Sequence, residues 1–365
     1  MKDKLKNLII VAVFFVVIFG IFVLNAFKED KEVSISERRK LLQMPKFSIA
    51  TFYNGSFQDK FENYLKDQIT FREFFKNVNF NFKENVLKNK DTNGYFVKDD
   101  AIFKLGKTNK YNIDKTISNL NEIINLYMKD NKIYASIIPD KNYYLEDNTY
   151  LNLDVEYMED NIKNKMNVSY IDIKDKINLN SFYSTDIHLK QECTIDLVNT
   201  LLNSMGKESI NINDFKVSKV GEFEGSYYYN TYKKLKKDTL NILSNETLDN
   251  LNAYNFEKNV YEPVYNYEKY NTSIDKYDVF LSGPTSIQKI ENKNAKEDTN
   301  LIVFRDSFGS ELVPLMLQNY HYVTLIDLRY VSPKILDNYV DFTNADVLFI
   351  YSAEVVNQNI LKSLN

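Results

Sequence analysis

The first feature in the pattern of apolar and polar positions is an almost unbroken apolar run from Leu8 to Phe27, LIIVAVFFVVIFGIFVLNAF. About twenty helical residues rise roughly 30 Å, the depth of a bilayer's hydrocarbon, so the run predicts a transmembrane helix. Lys2, Lys4 and Lys6 precede it. Lysines stay on the cytoplasmic side, which predicts a single pass with residues 1–27 as cytoplasmic tip and anchor and the rest of the chain extracellular. The run exceeds the usual signal-peptide core and no Ala-x-Ala-like site follows it, so an anchor is expected in preference to a cleaved leader.

Residues 28–95 read as a polar juxtamembrane spacer followed by a helical segment. KEDKEVSISERRK is charged and solvated, whereas Phe57, Phe61, Tyr64, Leu65, Phe71, Phe74, Phe75 and Val78 recur at helical spacing. One or two amphipathic helices are expected there, their aromatic stripe serving to pack.

From residue 96 to 365 strand-like and helix-like segments alternate. Ile133–Ile138, Tyr170–Ile173, Val279–Leu281, Leu301–Phe304, Tyr322–Ile326 and Val347–Tyr351 are short apolar strand candidates. Leu197, Val198, Leu201, Leu202 and Met205 mark a helix. The expected fold class is α/β, a sandwich with a mainly parallel sheet covered by helices. The pattern breaks between about 206 and 274, where Tyr227, Tyr228, Tyr229 and Tyr232 are interleaved with lysines, and that stretch is expected to be an insertion or cap.

Composition narrows the function. Hydrophobic residues at 44% and charged residues at 26% are ordinary for a folded domain. A net charge of -4 gives no pull toward phosphate backbones, so no nucleic-acid partner is expected. Cys193 is alone, which excludes an internal disulfide and a thiolate cluster. Only His188 and His321 could supply imidazole, so neither a metal nor an organic cofactor is expected.

In LIVFRDSFGSELVPLMLQNY, Ser307 stands between an apolar strand and a helix whose buried face would carry Leu312, Leu315 and Met316, with Pro314 in its first turn. Ligands collect at such carboxyl ends of parallel strands, and the positive end of the following helix favours an oxyanion. A serine hydroxyl becomes a nucleophile only when a base takes its proton. His188 lies in SFYSTDIHLKQE with Asp186 two residues before it, placed to orient the ring and stabilise its cation. His321 opens the strand HYVTLIDL with no acid at similar spacing, so His188 is the expected base.

These motifs, together with NGSFQDKFENYLKDQITFRE near the N-terminus, TDIHL in the middle, and RDSFGSELVP followed by VTLIDLRY, give the chain a resemblance to the bacterial DHHW family. That family is related to the AlgX and AlgJ alginate O-acetyltransferases, which have a permuted SGNH-hydrolase-like domain. The resemblance implies an SGNH-hydrolase-like three-layer sandwich in which Ser307 is the nucleophile, His188 the base and Asp186 its partner. Gly283, in VFLSGPTS, resembles the glycine whose backbone N–H helps form an oxyanion hole beside that of Ser307. Arg329 and Tyr351 follow the serine at strand ends and are candidates to line the site. The chain departs from the family pattern in having Ile187, His188 and Leu189 after Asp186, and Pro284 where an asparagine often follows the glycine.

The resemblance further implies an acetyl group carried on a serine acyl-enzyme to a polysaccharide acceptor, delivered across the cell membrane by an MBOAT-type membrane acyltransferase. Two other functions fit the same residues. One is a carbohydrate acetylesterase; the other is a catalytically silent polysaccharide-binding or scaffold protein of an envelope synthesis complex.

Overall fold

The computed structural model describes the chain except for residues 1, 35, 90, 92, 147, 148, 232, 234 and 365; Tyr232 of the tyrosine-rich stretch therefore lies outside the described residues. It divides into two compact units, residues 1–92 with 229–232, and residues 93–228 with 233–365.

In the first unit α1 (Lys2–Phe27) contains the one helix among the described residues long and apolar enough to cross a membrane. A two-stranded ribbon of β1 (Val33–Ser34) and β2 (Arg39–Lys40) follows, then α2 (Ile49–Tyr53), α3 (Ser56–Gln68) and α4 (Arg72–Asn85). Charge pairing closes this unit more than apolar packing does. Arg39 grips Asp67 with two bonds of 2.7 and 2.6 Å, and that pairing pulls the Asp67 carboxyl down to about 2. Phe71, Phe74, Phe75 and Val78, expected as a packing stripe, are 57, 62, 43 and 50% exposed.

The second unit opens with the hairpin β3 (Tyr95–Lys98) and β4 (Ala101–Lys104) and α5 (Lys110–Tyr127). There follow β5 (Ile133–Ile138), α6 (Val155–Lys165), β6 (Ser169–Tyr170) and α7 (Ile195–Ser204). Next come the hairpin β7 (Lys216–Phe223) and β8 (Asp238–Ser244), α8 (Glu246–Asn250), β9 (Asn252–Asn255), β10 (Val260–Pro263) and α9 (Tyr267–Thr272). The chain ends with β11 (Ile287–Glu291), β12 (Asn300–Arg305), α10 (Gly309–Met316), β13 (Tyr322–Ile326), β14 (Ala345–Ser352) and α11 (Ala353–Gln358).

One eight-stranded sheet runs in the order β10-β9-β11-β13-β12-β14-β5-β6. The five strands from β13 to β6 are parallel, and β11, β9 and β10 extend the sheet antiparallel. Side-chain alternation sorts the core into two layers. Leu301 and Val303 of β12 face a cluster containing Leu197 and Leu201 of α7 and Leu312 of α10. Ile302 and Phe304 face the other, with Ile113 of α5, Met158 of α6 and Val355 of α11. Burial on both faces is why the central strands read as continuous apolar runs. The chain is the expected α/β sandwich with a mainly parallel sheet.

Three local differences have physical causes. Of the expected 170–173 strand only Tyr170 joins the ladder, with Ser169 before it, while Ile171 and Ile173 are buried beyond it. Val279–Leu281 is not a strand, because a 3-10 turn over Lys276–Val279 runs into a left-handed turn at Leu281, Ser282 and Gly283, with φ of 53, 62 and 89°. Pro314 lies inside α10, beyond its first turn, where its missing N–H removes one bond to the preceding turn of a helix that gives way to a 3-10 turn over Leu317–Asn319. Residues 206–274 hold the β7–β8 hairpin and supply β9 and β10 to the main sheet.

Candidate active site

Ser307 sits in the turn that leaves β12 at Arg305 and enters α10 at Gly309. The turn is tight, for a Cβ at Gly309 would stand 2.6 Å from the Arg305 Cβ. Asp306 fastens it: Oδ1 accepts the Phe308 N–H at 3.0 Å, and Oδ2 accepts the Ser352 N–H at 2.8 Å and the Ser352 hydroxyl at 2.6 Å. The serine is thereby tied to the end of the neighbouring parallel strand β14. The Ser307 backbone N–H has no intramolecular partner among the described residues.

His188 arrives on a separate loop. Phe182 bridges Leu189, Tyr183 N–H donates to the His188 carbonyl at 3.1 Å, and Lys190 N–H donates to that of Ser181 at 2.7 Å, so Asp186 lies near the tip of a narrow antiparallel loop. One Asp186 oxygen accepts the His188 N–H at 3.0 Å and meets His188 Nδ1 at 2.6 Å. The other accepts the Ser226 N–H at 2.5 Å. With Nδ1–H donated to the carboxylate, Nε2 is the accepting nitrogen. It stands 2.8 Å from Ser307 Oγ. Residues 119 apart in sequence thus meet in a proton relay, with Asp186 and His188 only 0 and 6% exposed.

Packing holds the imidazole. Tyr277 stacks on it at 3.8 Å and 9°, and Phe308 lies 5.0 Å away on a tilted plane. Burial, and then the Glu311 charge, push the Tyr277 hydroxyl well above its ordinary range, so it stays neutral and donates to the Ser307 carbonyl at 3.3 Å.

The loop is braced from below by Lys141, 3% exposed, whose ammonium donates to the carbonyls of Tyr183, Ser184 and Asp186 at 2.8, 3.1 and 3.1 Å. Burial lowers its pKa to about 7, with Asp186 and Asp238 opposing the fall. Asp238 of β8 accepts the N–H groups of Ser184 and Thr185 at 2.8 and 2.7 Å and the Thr185 hydroxyl at 2.5 Å. Gly225 approaches so closely that a Cβ would lie 2.2 Å from the Thr185 oxygen and 2.5 Å from the Asp186 Cβ. The stretch read as an insertion therefore carries groups that hold the carboxylate behind His188.

The remaining residues named from sequence make none of the relay's own hydrogen bonds. The Gly283 N–H donates to the Phe280 carbonyl at 3.2 Å, inside its own turn, and a Cβ there would meet Asp278 Oδ1 at 2.7 Å. Arg329 is clamped on Asp327 by bonds of 2.9 and 2.6 Å. Tyr351 is 1% exposed, its hydroxyl without a hydrogen-bond partner among the described residues, and the charges of Asp327, Asp306, Arg329 and Arg305 act on it. Among the described residues no group of three His, Cys, Asp or Glu side chains is placed to hold a metal. Sequence reasoning did not single out Asp306, Tyr277, Lys141 or Asp238. Adjacency to Ser307 could have flagged Asp306; the others act through folded contacts that leave no spacing signature.

Comparison with known proteins places this geometry in a family. No curated protein matches the chain. Among solved structures, a DHHW family protein from Eubacterium siraeum aligns with a TM-score of 0.60 at 20% identity, over 74% of this chain and 97% of that one. Bacillus cereus PatB1 aligns with a TM-score of 0.59 at 17% identity, over 74% and 99%. At these identities the likenesses are of fold. The family described as DHHW protein matches residues 97–326, which hold Asp186, His188 and Ser307. That span is well over half the sequence, and the chain belongs to the DHHW family.

Proposed function

We propose that this protein is a membrane-anchored O-acetyltransferase that carries an acetyl group on Ser307 to a hydroxyl of a cell-surface or secreted polysaccharide. The observation that carries the reading is the buried Asp186–His188–Ser307 relay, closed at 2.6 and 2.8 Å. In the first half-reaction His188 Nε2 takes the Ser307 proton while Oγ attacks the acetyl carbonyl. The Oγ–C bond forms, the bond to the donor breaks, and the imidazolium returns its proton to the leaving group. In the second, a sugar hydroxyl gives its proton to Nε2, its oxygen bonds to the acetyl carbon, and Ser307 leaves with the proton returned. Negative charge on the tetrahedral oxygen is met by the Ser307 N–H at the head of α10. Because the Gly283 N–H is spent within its turn, Ser307 is the donor this reading relies on.

Membership of the DHHW family, whose relation to alginate O-acetyltransferases the sequence resemblance implies, supports acetyl as the group and a polysaccharide as the acceptor. The apolar helix over Lys4–Phe27, with lysines before it, supports a single-pass anchor with the second unit outside the cell. An MBOAT-type membrane acyltransferase is then the donor partner, and no cofactor enters the steps. Ser307→Ala is expected to abolish polymer O-acetylation while the protein stays folded by circular dichroism; acetylation at the wild-type level in that variant defeats the reading.

A further inference from the structure

A second polar group, used by no step above, stands at the carboxyl ends of the strands beside Ser307. Asp140 follows the end of β5, Glu354 lies in the first turn of α11 just past β14, and Lys104 closes β4 with its ammonium paired to the Glu354 carboxylate. β12, β14 and β5 are consecutive in the sheet, with Arg305 opposite Ile350 and Ser352 opposite Ile138. Two strand spacings of about 4.8 Å put this group roughly 10 Å from the Ser307 turn, about the reach of one or two sugar rings.

Tyr227 joins the two groups. Its side chain is 8% exposed, its ring packs on Tyr95 at 5.1 Å, and its hydroxyl makes no hydrogen bond among the described residues. After burial itself, the charges of Glu354 and Asp140 act most strongly on that hydroxyl, and the Asp186 charge also reaches it. Tyr227 directly follows Ser226, whose N–H holds Asp186, so relay and polar group share a wall.

The chemistry selects the occupant. Two carboxyl groups face a single ammonium that is already paired, which repels an anion. An apolar ligand would cover the tyrosine hydroxyl and the Asp140 carboxyl without offering either a bond. A neutral ring bearing several hydroxyls offers each of them a donor or an acceptor. Asp140 suits either role near neutral pH, since burial and the Glu354 charge, opposed by Lys104, raise its pKa to about 7.

We infer that Asp140, Glu354, Lys104 and Tyr227 form a subsite for a neutral sugar residue, which on the transferase reading is the acceptor held beside the acylated Ser307. The test is binding of cellopentaose, mannopentaose and pentagalacturonate to the full chain carrying Ser307→Ala, by titration calorimetry in detergent. A neutral pentasaccharide is expected to bind, with Kd raised about tenfold by Asp140→Asn or Glu354→Gln and about threefold by Tyr227→Phe, the effects of losing a charged and a neutral hydrogen bond. Tyr227→Phe keeps the ring and removes one oxygen, so it carries the test should either carboxyl variant fail to fold. Binding indifferent to all three substitutions, no binding of either neutral sugar, or a preference for pentagalacturonate overturns the subsite. Mass spectrometry of the wild-type protein incubated with p-nitrophenyl acetate separates the two ideas: no acetyl on Ser307 sinks the transferase, not the sugar site.

Discussion

Two histidines in this chain each hold a carboxylate against Nδ1 at the same distance, yet only one is equipped as a base. His188 meets Asp186 at 2.6 Å and His321 meets Asp298 at 2.6 Å. The His188 and Asp186 side chains are 8 and 0% exposed, whereas those of His321 and Asp298 are 27 and 92% exposed. Water screens the second pair and leaves its geometry loosely held, so little energy attaches to it. The free nitrogen differs too: Nε2 of His188 faces the Ser307 hydroxyl at 2.8 Å, while Nε2 of His321 faces the Glu291 carboxylate at 3.7 Å. A carboxylate at the right distance does not define a base. Exclusion of water and a hydroxyl on the opposite nitrogen do.

The largest way to break the contrast is to remove each ring. Ser307→Ala or His188→Ala should cut acetyl transfer by about a thousandfold or more, as loss of a relay member does in serine hydrolases, whereas His321→Ala should stay within about twofold of wild type. Initial rates of ester turnover by the purified protein decide it, and a comparable loss in His321→Ala would erase the distinction. Next, Asp186→Asn should cost about a hundredfold or more by stabilising the wrong tautomer, while Asp298→Asn costs nothing measurable.

A smaller effect separates the supports of the two rings, because the loop behind His188 rests on Lys141. Lys141→Met removes three hydrogen bonds to carbonyls of the loop, of which that of Ser184 keeps the Ile102 N–H, so a destabilisation of about 2–3 kcal/mol is expected in chemical unfolding. Variants with unchanged midpoints would show that the loop holds itself.

The smallest effect concerns a carboxyl with no histidine partner. Asp140 has its pKa raised from 3.8 to about 7, by burial first and then by Glu354, with Lys104 opposing. Its proton is bound more tightly in the folded state, so its stabilising contribution is complete below the unfolded value and vanishes as pH climbs through 7. Asparagine copies the protonated form at every pH. Asp140→Asn should therefore unfold at a higher temperature than wild type at pH 8, by on the order of 1 kcal/mol or more in stability, with the gap narrowing as pH falls below 7 and closing only below about pH 4. A gap that widens toward acid would reverse the sign.

What could be read from sequence followed from how local the signal was. β5 and β13 match their apolar runs residue for residue, and β12 and β14 extend theirs by a residue or two at each end, since strands buried on both faces announce themselves as uninterrupted hydrophobics. Ser307 stood out because strand, turn and helix are contiguous there, and Asp186 with His188 because a single residue separates them. β9 and β10 were hidden: the edge strand β10 and its neighbour β9 have four residues each, carry Asn, Tyr, Glu and Pro, and look like loop. Lys141, Asp238 and Tyr277 bear on the relay from 42 to 54 and 30 residues away through contacts that exist only once the chain has folded. His321 reverses the lesson, because its acid lies 23 residues back and no local pattern foretold it.

The placement of β12 has a consequence for timing. Both of its neighbours in the sheet, β13 and β14, come later in the chain. A polypeptide emerging N-terminus first can present His188 and Ser307 yet has no ladder on which to seat the serine until residues 322–352 have followed. The serine turn thus gains its support only once residues 322–352 have been made, and on the transferase reading a copy truncated before them is expected to be inert toward esters.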